Sequence, residues 1–209
     1  MQNQSILYYV HDPMCSWCYA FRPTWQTIRE QLPSELNLRY VVGGLAADTD
    51  APMPPAMQQS LQATWRRIME VVPGTRFNFD FWTQCQARRA TYPSCRAVLA
   101  AKMQDARAEI AMIRAIQDAY YQQARNPSDN STLVAIAGEV GLDAEQFAQD
   151  LTSELLEQQL QDELALAARI GGDSFPSLIL HHDEGLQNIA YSYTDPSVTL
   201  NALAQVSVN

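Results

Sequence analysis

Positive charge is scarce in this chain: 14 lysines and arginines stand against 23 aspartates and glutamates in 209 residues, giving a formal net charge of −9 and a pI near 4.7. Affinity for nucleic acid rests largely on lysine and arginine neutralising phosphates, so this balance argues against a nucleic-acid partner. Long apolar runs are missing too. No stretch approaches the ~18–20 residues needed to span a bilayer, so no membrane partner is expected. The opening residues, Met1-Gln2-Asn3-Gln4-Ser5, carry no basic n-region, apolar h-region or small-residue cleavage site, and the expectation is a leaderless cytoplasmic protein. Cysteine is sparse as well. Four in a chain of this length make no disulfide scaffold, and in a reducing compartment any disulfide among them is transient and catalytic. Internal repeats and low-complexity tracts are absent.

What is present is one concentrated stretch, Asp12-Pro13-Met14-Cys15-Ser16-Trp17-Cys18-Tyr19, directly after the apolar run Ser5-Ile6-Leu7-Tyr8-Tyr9-Val10. A buried strand runs straight into a pair of cysteines. If a helix opens at the first, the two sulfurs lie one turn apart on one face and can close a disulfide. The first sulfur then faces the orphan N–H groups and positive dipole end of that helix, which favour thiolate over thiol. In such motifs the thiol pKa drops from about 8.5 to roughly 3.5–7.5. Half of a zinc site, or two small buried hydrophobes, are the other readings of a Cys-x-x-Cys. Zinc normally takes a second ligand pair, and Cys85, Cys95, His11, His181 and His182 form no further C-x-x-C or H-x3-H. The redox reading is preferred and no metal is assigned.

Along the chain, residues 19–32 read as a helix with Pro23 predicting a kink or break inside it. Residues 36–42 read as a second strand closed by Gly43-Gly44, so strand, helix and strand form a βαβ unit with parallel strands. Residues 46–55 form a loop. Helices are expected over 56–72, 79–89, 93–108, 110–123, 131–140 and 144–170, the last capped by Asp143 with Gln146 as its capping-box partner. A strand at 177–181, a turn at Asp183-Glu184-Gly185, an alternating strand at 188–193 and a helix over 196–205 complete the chain. The division is residues 1–50 and 171–209 for a small α/β unit, with 51–170 as a helical insertion. The order is βαβ, a helical block, then ββα; a four-stranded mixed sheet with the cysteine pair at the end of its first strand and a proline at the start of its third is the thioredoxin layout, which periodicity alone does not reach.

The segment from Asp12 to Pro23 resembles the active-site signature of cytosolic DsbA-like proteins, the FrnE-like branch. Val41-Val42-Gly43-Gly44-Leu45, Tyr92-Pro93-Ser94-Cys95-Arg96-Ala97-Val98 and Gly172-Asp173-Ser174-Phe175-Pro176-Ser177-Leu178 follow in that family's order. The resemblance implies a thioredoxin fold with a large all-helical insertion between its second and third strands. It implies Cys15 as attacking thiol and Cys18 as resolving thiol. It also implies Pro176 as the superfamily's cis-proline, with Phe175 before it holding a substrate chain extended. Cis bonds make up only about 5–6% of X–Pro bonds in folded proteins, so this expectation rests on the resemblance alone. Ser174 and Ser177 depart from the glycine and threonine that relatives often have there.

Several residues carry two readings. Trp17 is either a substrate contact or a packed surface aromatic, and Asp12 and His11 either tune proton transfer or end the strand. Cys95 and Cys85 read as structural, although Cys95 stands near a helix start. Trp65, Tyr120 and Tyr121 read as core. The function expected is thiol–disulfide exchange with protein or small-molecule thiols and disulfides, with no cofactor beyond glutathione as a co-substrate. The alternative is a glutathione-dependent isomerase or transferase like the 2-hydroxychromene-2-carboxylate isomerases and kappa-class transferases. Those relatives carry serine where Cys15 stands. A third reading is a partner-binding module in which the thiols are incidental.

Overall fold

In strand β1 (Ile6–His11) both faces are apolar, because both are covered. Leu7 and Tyr9 point to one side, into a core with Phe21, Trp25, Ile28, Tyr40 and Leu178, while Tyr8 and Val10 point to the other, against Leu166, Ala167 and Ile170. This is the two-residue period of a strand read through two different layers. The structure, a computed structural model, describes residues 5–206. The reading of residues 1–4 as part of a leaderless terminus lies outside the described residues.

Helix α1 (Ser16–Glu30) follows the cysteine turn and leads to β2 (Asn37–Val42), which lies parallel to β1 with Tyr9 opposite Tyr40. The chain then runs through α2 (Pro55–Val71), α3 (Phe81–Gln84), α4 (Tyr92–Gln104), α5 (Ala108–Tyr121), α6 (Asn130–Glu139), α7 (Ala144–Asp150) and α8 (Glu154–Arg169). It returns to the sheet as β3 (Ser177–His182), antiparallel to β1, then adds β4 (Gly185–Asn188) and closes with α9 (Ser197–Val206). The sheet order is β2-β1-β3-β4: a four-stranded mixed sheet of thioredoxin fold. None of the helices is long and apolar enough to cross a membrane among the described residues.

Five local expectations are corrected. The helix expected over 79–89 is the single turn α3, because Phe77, Phe79, Phe81 and Trp82 gather around buried Trp65 and the chain then extends to pair Pro52 with Arg88. The helix expected over 144–170 is two, because Ser153 caps α8 by accepting from the Leu156 N–H at 3.2 Å. Pro23 leaves α1 unbroken, its ring on the exposed side. The strand expected over 188–193 ends at Asn188. Beyond it Tyr191 and Tyr193 turn onto α1, with the Tyr191 ring 5.1 Å from Phe21 and the Tyr193 carbonyl accepting from Thr24 Oγ1 at 2.6 Å. Their alternation serves a helix face, not a ladder. Asp143 does cap α7, accepting from Glu145 and Gln146, but its own N–H donates to Gln104 Oε1, so the reciprocal arm of the capping box is not made.

Candidate thiol–disulfide site

The site is built on a turn that Asp12 ties to itself. Its carbonyl accepts from the Cys15 N–H at 3.0 Å and its Oδ1 accepts from the Met14 N–H at 2.7 Å, an Asx-type turn that ends β1 and points the next residues into α1. Cys15 is the N-cap residue of α1 and its sulfur makes no capping bond, which leaves it free for other partners. Cys18 lies one turn further in. Both cysteines are free thiols.

The loop before β3 meets this turn from 160 positions away. Phe175–Pro176 is a cis peptide, and the Cys15 S–H donates to the Phe175 carbonyl oxygen at 3.5 Å. The Phe175 ring lies on Gly43: a Cβ there would fall 1.9 Å from its Cε1. Next door, Gly44 has φ +63°, and a Cβ would strike Leu164 and Tyr92. Gly43 therefore does more than end β2, since it makes room for the Phe175 ring. Pro176 O is held by the Tyr191 hydroxyl at 3.0 Å, and Ser177 Oγ donates to Ser174 O at 2.6 Å, closing the loop on itself.

Cys15 is only 7% exposed and Cys18 1%, so both sulfurs are largely covered by protein. Burial, then the neighbouring Cys15 sulfur, pushes the Cys18 thiol well above the ordinary range. Trp17 is half-buried, its ring 4.9 Å from that of Tyr193. A cleft of about 1010 Å3 runs along α1 between Tyr19, Phe77 and Tyr193, and neither cysteine lines it.

Asp12 is fully buried, with Oδ2 accepting from Leu45 N at 2.7 Å and Thr91 Oγ1 at 2.6 Å. Burial raises its pKa against the opposing pull of those donors. His11 is equally buried, stacked on Tyr9 at 5.3 Å, and neither ring nitrogen has a partner among the described residues. Cys95 lies in the core with Sγ 3.7 Å from Asp12 Oδ2, and burial followed by the Asp12 charge pushes its pKa well up. Half-buried Cys85 donates to Ala124 O at 2.9 Å. Trp65, Tyr120 and Tyr121 are core. Thr91 and Tyr121, whose hydroxyl donates to Met14 O at 2.6 Å, hold the turn from the helical block, and neither carries a signal for this in sequence.

A family model described as Thioredoxin matches residues 8–195. The chain belongs to the thioredoxin family. Among solved structures it resembles the cytosolic disulfide reductase DsbM of Pseudomonas aeruginosa, at 26% identity, TM-score 0.78, over 98% of this chain and 100% of that one. The same protein with GSH matches at 25% identity and TM-score 0.76, over 97% and 99%. The fold is thus DsbA-like. Among curated relatives, the ClpXP adapter protein SpxH of Bacillus subtilis is 26% identical over 193 residues, covering 90% of this chain and 63% of that protein. The SpxH of Halalkalibacterium halodurans is 23% identical, with 58% of its length covered. The chain spans less than two thirds of those relatives.

Proposed function

We propose that this protein is a thiol–disulfide oxidoreductase of the DsbA-like group, FrnE-like branch, working in the cytoplasm through Cys15 and Cys18. One observation carries the reading: the Cys15 sulfur sits at the start of α1, 3.5 Å from the Phe175 carbonyl beside Pro176, with Cys18 one turn behind it. A client disulfide that reaches Cys15 is attacked by its thiolate, and one client sulfur leaves while the other stays bound to Cys15. The Phe175 backbone offers a carbonyl to an extended client strand, and we assign half-buried Trp17, beside Tyr193, as a further substrate contact. Cys18 then displaces the client. Glutathione, present with DsbM in its complex, is the small-molecule thiol we assign as co-substrate.

The test is trapping. Cys18→Ala should accumulate mixed disulfides through Cys15, because attack survives and resolution does not, whereas Cys15→Ala should trap almost none. Equal trapping by the two variants would overturn the ordered mechanism. The SpxH relatives support a second reading, a partner-binding adapter with incidental thiols. That reading expects client binding to survive loss of both cysteines.

A further inference from the structure

The cleft of about 1010 Å3 along α1 has no part in the exchange step itself. The thioredoxin-type unit lines it with Tyr19, Arg22 and Thr24 of α1 and with Tyr193, and the helical block lines it with residues 72–78, Tyr121 and Gln122. Its charge runs against that of the chain: Arg22 and Arg76 line it and no aspartate or glutamate does, in a protein of net charge −9. Arg22 is already committed, its guanidinium carbon 5.1 Å from the Tyr19 ring centre and one N–H donated to Asp118 at 2.7 Å. Arg76 is not. It is exposed, and its guanidinium has no partner among the described residues, while its carbonyl accepts from the Tyr19 hydroxyl at 3.0 Å. The backbone beside it is open as well. Residues 75–78 belong to no helix or strand, and the N–H groups of Arg76 and Phe77 and the carbonyls of Thr75 and Phe77 have no protein partner among the described residues.

We propose that this cleft docks protein clients by taking an extended, acidic segment of the client chain near its reacting cysteine. The proposal rests on the exchange reading above and names the class of client that reading leaves open. Charge selects the sign of the occupant, since Arg76 offers an unused guanidinium to a carboxylate. The unpaired groups of residues 75–77 select a polypeptide, because an added strand pairs with main chain in a way a small anion does not. The volume agrees, standing at the top of the ~300–1,000 Å3 typical of small-molecule pockets. Position ties the cleft to the thiols. Tyr193, which lines it, lies 4.9 Å from Trp17, the residue preceding Cys18. Tyr19 and Arg22 follow Cys15 by about one and two helical turns, about 6–10 Å along the axis. An extended chain covers that in roughly two or three residues. Docking there contributes binding energy away from the reacting sulfurs and holds the client disulfide at Cys15.

The probe is a synthetic peptide of about eight residues, without cysteine, that carries several glutamates and one tyrosine, compared with the same peptide bearing glutamine at each glutamate. Fluorescence anisotropy should show wild type binding the acidic peptide about tenfold more tightly, and Arg76→Glu should erase that preference. Equal affinities in wild type, or a preference that survives in Arg76→Glu, overturn the site. N-methylation of alternate amides in the acidic peptide should weaken binding about fivefold or more. Unchanged affinity after methylation, or displacement by free glutarate at the same concentration as by peptide, makes the cleft a small-anion site and overturns the client segment. Each peptide extended by a disulfide-bonded cysteine then tests the link to exchange: the acidic one should be reduced about tenfold faster, and equal rates overturn docking as a step towards Cys15. If neither peptide is reduced, the exchange reading fails, and the cysteine-free binding decides the cleft by itself. If Arg76→Glu does not fold, Arg76→Gln replaces it, with the preference for the acidic peptide again expected to vanish.

Discussion

His11 stacks on Tyr9 with no donor or acceptor offered to its ring among the described residues, and burial, reinforced by the positive charge of Lys102, lowers its pKa from 6.5 to about 3. At neutral pH it is uncharged both folded and unfolded, so it has no effect on stability there. As pH falls below 6.5 the unfolded chain takes up a proton that the folded one refuses until about 3, so stability drops across that window. The full effect is on the order of 4–5 kcal/mol. Asp12 acts in the opposite sense: its raised pKa means the folded state holds the proton longer, and stability is lost as pH rises past the ordinary carboxylate range. His11→Phe keeps the stacked ring and removes the titration. Urea unfolding at pH 7 and pH 4 should show the variant losing less stability on acidification than wild type, by a few kcal/mol. Identical acid losses would place the acid sensitivity elsewhere.

Caps decide where the helical elements stop. Ser153 separates α7 from α8 by accepting one bond from Leu156 N, so Ser153→Ala should cost about 1 kcal/mol, read as a shift in the urea midpoint with unchanged slope. A change near zero would mean the Leu151 side chain, buried in the core, fixes the break by itself. These elements also show what the sequence discloses. Strands β1 and β3 and the cysteine turn are legible because apolar runs, a Cys-x-x-Cys and a Phe-Pro dipeptide are local signals, whereas α1 starts at Ser16, three residues before the helix read over 19–32. The 79–89 segment is not legible, since its aromatics look helical and only the distant ring of Trp65 draws them into a different path. The 188–193 segment misled in the same way, because alternation states which side chains face inward without naming the surface they meet. At the site, the cysteines and Phe175-Pro176 stood out, and Asp12 and His11 stood out only by adjacency. The Thr91 and Tyr121 bonds join positions 79 and 107 apart, which no local pattern reports.

At the scale of the whole molecule, the helical block holds the cysteine turn in place. Tyr121, at the end of α5, donates to Met14 O at 2.6 Å, and Thr91, just before α4, donates to the Asp12 carboxylate at 2.6 Å. Both hydroxyls come from the stretch we read as an insertion, and both act on the four residues that aim Cys15. The turn therefore has two sets of supports, its own Asx bonds and these. Tyr121→Phe removes the outside donor while keeping the ring against Tyr19, 4.5 Å away, and leaves Met14 O buried without it. The cost should be about 1–3 kcal/mol. If the hydroxyl braces the turn, amide exchange at Cys15, whose N–H donates to Asp12 O, should accelerate more than exchange in the centre of β1. Mixed-disulfide formation at Cys15 should slow alongside it. A uniform loss of protection, spread evenly over β1 and α1, would mean that Tyr121 stabilises the fold without bracing the turn, and that the Asx bonds of Asp12 suffice to aim the sulfur.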